Sequence, residues 1–108
     1  MVNPKKVQAL MLDLGHRDNL LGTQYLQIGM ALYKRGMSMT KELYPGIAKV
    51  VDSTPSRVER AMRHSIETAW DRCDIDTQLR HFGNSVSPAK GKPTVGEWVA
   101  RVASICED

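Results

Sequence analysis

Between Ile47 and Trp70 two short amphipathic patterns meet at Ser53-Thr54-Pro55, and that junction limits this chain to few folds. Thr54 suits a helix N-cap, where its hydroxyl accepts an otherwise free amide proton, and Pro55 suits the first helical position. At about 100° per residue, Val58, Met62, Ser65 and Ala69 fall on one side of the helix that follows. Ser56, Arg60, Arg63, His64, Glu67 and Asp71 fall on the other. Upstream, Ile47, Ala48 and Val51 recur at helical spacing after Pro45, so a short helix ends near Asp52, and the small Ala48 lets the pair approach closely. Two helices joined by so tight a turn form a helix-turn-helix, whose second helix, here about 55–72, presents its early residues to the major groove while the first crosses the sugar-phosphate backbone.

Arginine on the outward face has a specific chemistry. Its fork of donors can meet the O6 and N7 acceptors of guanine together, a pairing worth roughly 1–3 kcal/mol of discrimination, whereas lysine supplies charge without that geometry. Arg60 and Arg63 are therefore the expected base readers, against the plainer reading of a solvated helix face. Glu59 lies on the flank and has two readings, accepting from cytosine N4 or pairing with Arg63 one turn later. Ser53, Thr54 and Ser56 cluster at a helix N-terminus, where amides and the helix dipole favour a phosphate, with simple capping as the alternative. Arg57 and His64, then Lys90 and Lys92 in a later loop, are further candidates for the DNA backbone, or else plain solvated side chains.

The remaining helices read as scaffold. Asn3 and Pro4 open a first helix with Val7, Leu10, Met11 and Leu14 as its stripe and Gly15 at its end. A second runs from Leu20 or Gly22 to Arg35, with Leu26, Met30 and Tyr33 inward, Gly36 as terminator and Gly29 weakening it. A short fifth spans Asp76 to Phe82 before Gly83, and residues 85–93 form a loop. The last opens with Thr94 and Glu97 in a capping-box pattern, with Trp98, Val99, Val102 and Ile105 as its stripe. That stripe suits the core or a neighbouring protomer, and the core is favoured. Trp70 and Trp98 read as core, Trp70 packing against the fifth helix, and His16 and His81 read as surface or loop residues. The expectation is an all-α fold of about six helices in a single domain, residues 1–108.

Charge narrows the partners. The formal charge is +3 with a pI near 9.0. Residues 34–63 hold seven basic side chains against Glu42, Asp52 and Glu59, a local balance of +4, while 56–72 carry only +1. The charge is consistent with a polyanionic partner without proving one, and the small balance on the helix itself implies moderate affinity helped by dimerisation. No catalytic constellation, glycine-rich phosphate loop or metal-ligand spacing is present, so no enzyme and no cofactor is expected. A zinc site from His64, Cys73, His81 and Cys106 would lack the paired short spacings of zinc modules. With no long apolar run or secretory signal the chain reads as cytoplasmic, without a membrane partner, and Cys73 and Cys106 as free thiols.

The run Ser56-Arg57-Val58-Glu59-Arg60-Ala61, followed by Arg63-His64, Ile66-Glu67 and Ala69-Trp70, resembles the DNA-binding domain of the stage-zero sporulation protein A family. The likeness extends upstream through Gln24-Tyr25-Leu26, Leu43-Tyr44-Pro45 and Ile47-Ala48-Lys49, and downstream through Ile75-Asp76, Phe82-Gly83 and Lys92-Pro93-Thr94, from about Val7 to Val102. The resemblance implies the helical effector domain of a two-component response regulator of sporulation, whose receiver domain would precede residue 1. A short homologue without a receiver is the alternative. It further implies double-stranded DNA in tandem short boxes, a second copy of the chain on DNA, and the RNA polymerase sigma subunit as partners, with activation or repression set by promoter layout. Polymerase contact would map to Glu67 and the segment 72–77, including Cys73 and Thr77; Cys73 stands where the family favours glycine. Two competing readings remain: a helical protein-interaction module whose arginine face binds an acidic partner, and a divergent paralogue governing other genes.

Overall fold

The computed structural model describes residues 1–17, 19–83 and 91–108. Among them are six α-helices: α1 Pro4–Asp13, α2 Leu21–Leu32, α3 Tyr44–Val51, α4 Pro55–Arg72, α5 Ile75–Phe82 and α6 Val95–Ile105. Asn3 caps α1 through Lys5 N and Lys6 N, and Thr94 and Glu97 form a reciprocal capping box on α6. The termini are tied together by an isolated antiparallel bridge between Val2 and Glu107 and by a Lys6–Asp108 ion pair at 3.1 Å. The expected loop 85–93 lies outside the described residues over its first six positions.

The second helix stops earlier than the sequence suggests. It ends at Leu32 rather than Arg35, because Tyr33 turns extended (φ −66°, ψ 134°), and Gly36 then sits in a separate turn at φ 85°. Ahead of α3 is a π-helical turn, Met39–Leu43, capped by the Ser38 hydroxyl, that periodicity did not reveal. Pro45 gives a physical reason: it has no amide to donate, and in an unbroken α-helix its ring would crowd the Lys41 carbonyl, so the preceding turn widens.

Helix α2 is the hub, lying against α1, α3, α4 and α6. Leu26, Ile47, Val58, Met62, Ile66, Trp98, Val99 and Val102 are all essentially buried in one core. The α6 stripe at Trp98, Val99 and Val102 is thus interior packing, as favoured. Trp70 meets Phe82 edge to face at 5.2 Å, which docks α5 onto the end of α4.

Helices α2 and α4 come very close at Gly22. A Cβ there would land on the Ala61 carbonyl oxygen and 2.8 Å from the Ser65 Cβ, so α2 and α4 approach as only glycine permits. Beside that contact lies a buried polar chain: His16 Nδ1 to Ser65 Oγ at 3.0 Å, and Ser65 Oγ to Thr23 Oγ1 at 3.0 Å. His16 lies in the loop after α1, one of the two places expected for it, but is buried there and not on the surface, because Gly15 takes φ 90° and turns the chain under α4, where Arg72 donates to the Gly15 carbonyl at 3.1 Å. The imidazole also stands edge-on to Trp98 at 5.3 Å. His81 is likewise no loop residue; it sits in α5 with Nε2 3.1 Å from Asp13 Oδ2. No buried side-chain nitrogen or oxygen among the described residues lacks a partner, the condition for keeping such groups inside.

Two outcomes follow. Gly22→Ala must push α2 and α4 apart, at a cost of about 3 kcal/mol that denaturant unfolding would register as a lower midpoint; an unchanged midpoint would refute the close approach. Burial first, then Arg72, lower the His16 pKa from 6.5 to about 4. Protons therefore favour the unfolded chain: the His16 contribution is complete above pH 6.5 and is lost as pH falls through about 4, a difference of about 3 kcal/mol. Unfolding free energies at several pH values should fall more steeply over that window in the wild type than in His16→Gln.

Candidate nucleic-acid interface

The site is built by how α3 ends and α4 begins. Asp52 closes α3 in the left-handed conformation (φ 55°, ψ 55°), which aspartate tolerates better than most residues. Ser53 N then donates back to the Ala48 carbonyl at 3.0 Å, and the Thr54 hydroxyl accepts from Arg57 N at 3.2 Å. Three residues therefore separate two helices, and α4 runs for 18 residues from Pro55.

Its two faces separate as the periodicity predicts. Val58, Met62, Ser65, Ile66 and Ala69 are buried, while Ser56, Arg57, Arg60, Arg63, His64, Glu67 and Asp71 are exposed. Ala48 is buried where α3 packs on α4. The fold thus leaves the arginine face outward for its whole length. Ser53 is half-buried in the turn, and Thr54 is exposed with its hydroxyl already engaged as cap.

Of the two readings of Glu59, the free protein shows the ion pair: Glu59 Oε2 is 3.3 Å from Arg63 Nε. Arg63 is exposed and Glu59 half-buried, and a pair at this helical spacing near solvent is worth about 0.5 kcal/mol, less than a bidentate guanine contact offers. Beneath it lies Tyr44, which sequence reading assigned no role. Burial, and then Glu59, push its hydroxyl pKa up while Arg63 opposes them, so the phenol stays protonated. Tyr44, Glu59, Arg63 and Glu67 form one wall of a groove whose other wall is the segment 91–96.

Lys92 stands in that second wall, and its ammonium lies 3.0 Å from each Asp71 carboxylate oxygen. Lys92 is therefore brought to α4, but in the free protein it is paired and not the plain solvated or phosphate-reaching cation the sequence suggested. Lys90 lies outside the described residues. Arg57 and Arg60 have no ion-pair partner among the described residues.

The three residues assigned to polymerase contact divide. Glu67 is exposed on the α4 face. Cys73 is half-buried, adopts an ordinary extended cap (φ −80°, ψ 135°) that needs no glycine, and has its thiol pKa raised by burial and by Asp74 and Asp13. Thr77 corrects the expectation: it is 9% exposed, its amide donates to Asp74 Oδ1 at 2.7 Å, and it serves the start of α5 rather than an outer surface. Ile75 and Leu79 are the large side chains that α5 exposes instead. The imagined zinc set does not assemble; no group of three or more His, Cys, Asp or Glu among the described residues is placed to hold a metal. No helix among the described residues is long and apolar enough to cross a membrane.

A buried-faced α4 entered through a three-residue turn from α3, with arginines along its open side, defines a helix-turn-helix DNA-binding domain. The sporulation initiation factor Spo0A C-terminal family matches residues 7–105, and the chain belongs to that family. It is thus a DNA-binding effector domain of sporulation initiation, in a family of transcription regulators and not of enzymes.

The cap that fixes the entry of α4 gives a direct check. Thr54→Ala removes the acceptor for Arg57 N and should destabilise the domain by about 1 kcal/mol in denaturant unfolding. Restoration of the wild-type value by Thr54→Ser would assign the loss to the cap.

Proposed function

We propose that this domain reads short guanine-containing promoter boxes by laying α4 in the major groove. Arg60 and Arg63 contact base edges, and Glu59 either accepts from cytosine or orients Arg63. Ser53, Thr54, Ser56, Arg57, His64 and Lys92 line the backbone on either side. The observation that carries this reading is the division of α4: its apolar face is spent on the core, so the face left to solvent holds Arg57, Arg60 and Arg63 in the first half of the helix, where a helix-turn-helix meets bases.

The reading extends to assembly. A net charge of only +3 favours moderate affinity for a single box, so two copies on tandem boxes give stable occupancy in the cytoplasm. Glu67 and the exposed side of 72–77 are then free to meet the RNA polymerase sigma subunit. The domain acts as the output of a response regulator whose receiver controls pairing.

Unbiased selection of double-stranded DNA followed by salt titration tests this. Expected is enrichment of one short box whose affinity falls as salt rises. Arg60→Ala and Arg63→Ala should each relax preference at one base position, by roughly 1–3 kcal/mol. Binding that ignores DNA sequence would move the arginine face to an acidic protein partner.

A further inference from the structure

We propose that Asp71 occupies Lys92 in place of a DNA phosphate and so sets the affinity of the domain downward. The inference rests on the DNA-reading function above and adds to it a residue with no assigned role.

The geometry is specific. Lys92 Nζ lies 3.0 Å from Asp71 Oδ1 and 3.0 Å from Oδ2, so the carboxylate holds the ammonium with both oxygens, as two non-bridging phosphate oxygens would. The two come from distant parts of the chain. Asp71 stands two turns beyond Arg63 on the same stripe of α4, and Lys92 belongs to the wall that faces Arg63 and Glu59 across the groove. The neighbouring Pro93 is buried, and Thr94 caps α6, which anchors the stem of Lys92 beside α4. A phosphate approaching the edge of the reading face therefore meets a lysine already engaged.

Exposure decides the direction of the effect. Asp71 and Lys92 side chains are 67% and 39% exposed, so the pair is a weak one that a phosphate can displace but must compete with. Since phosphate contacts carry no sequence information, the competition lowers affinity for all DNA alike. Arg63 is held by Glu59 in the same way, which leaves Arg57 and Arg60 as the cations of this face that enter the encounter unpaired. A domain so restrained depends more on a second copy for stable occupancy.

The test is a double-mutant cycle on the folded domain, with binding to the selected box and to a scrambled duplex measured over a range of salt. Asp71→Asn keeps the side-chain volume at an exposed site and should tighten binding to both duplexes about two- to fivefold, with the gain shrinking as salt rises. In the Lys92→Ala background the same substitution should give little gain. An equal gain in both backgrounds would show simple repulsion between Asp71 and DNA and overturn the proposal, as would no gain in the wild-type background. Where either overturning result appears and the wild type still selects its box, the DNA-reading function stands while this inference falls. If the wild type selects no box, both fall together.

Discussion

The contact between α2 and α4 at Gly22 governs the rest of the molecule. Because a Cβ at Gly22 would meet the Ala61 carbonyl and Ser65, the two backbones touch there with no side chain between them. That proximity brings Thr23 to Ser65 and lets His16 complete the buried chain from the far side of the Gly15 turn. Apolar packing alone tolerates small rotations of a helix, since many neighbouring arrangements bury similar area. A buried hydroxyl and imidazole do not, because rotation would strand polar groups away from water. The His16–Ser65–Thr23 chain therefore fixes the rotation of α4 about its own axis. The same rotation decides whether Arg60 and Arg63 point at a DNA groove or along the protein surface.

Much of this was legible in the residues. The α4 stripe, the Thr54 cap, the Pro55 start and the Thr94–Glu97 capping box are local signals, set by side chains within four positions of one another, and the structure holds each of them. Trp70, off the centre of its stripe, found Phe82 as expected. What was not legible depends on distant chain segments. Gly22 reads only as one of two starts for the second helix until its neighbour is known to be Ala61. His16 reads as a surface residue because nothing near it in sequence announces Ser65, and Thr77 reads as exposed because its burial comes from tertiary packing of α5. Asp52 lacks the glycine that usually marks a left-handed cap, and the π turn before Pro45 leaves no periodic trace over five residues.

The electrostatics of the candidate interface follow the same division between local and distant. The Glu59–Arg63 pair is an i to i+4 relation that spacing alone suggests, while Lys92–Asp71 joins positions 21 apart and needs the fold. Each pair has one exposed member and one half-buried member, and ion pairs so open to solvent contribute little to stability, so neither is required to hold the domain together. Their consequence lies in what the free protein presents to a partner. Pairing two of the cations around this face with its own carboxylates reduces the attraction to any polyanion. On the function proposed for it, a face arranged in this way binds every duplex more weakly and depends more on a neighbouring copy for stable occupancy.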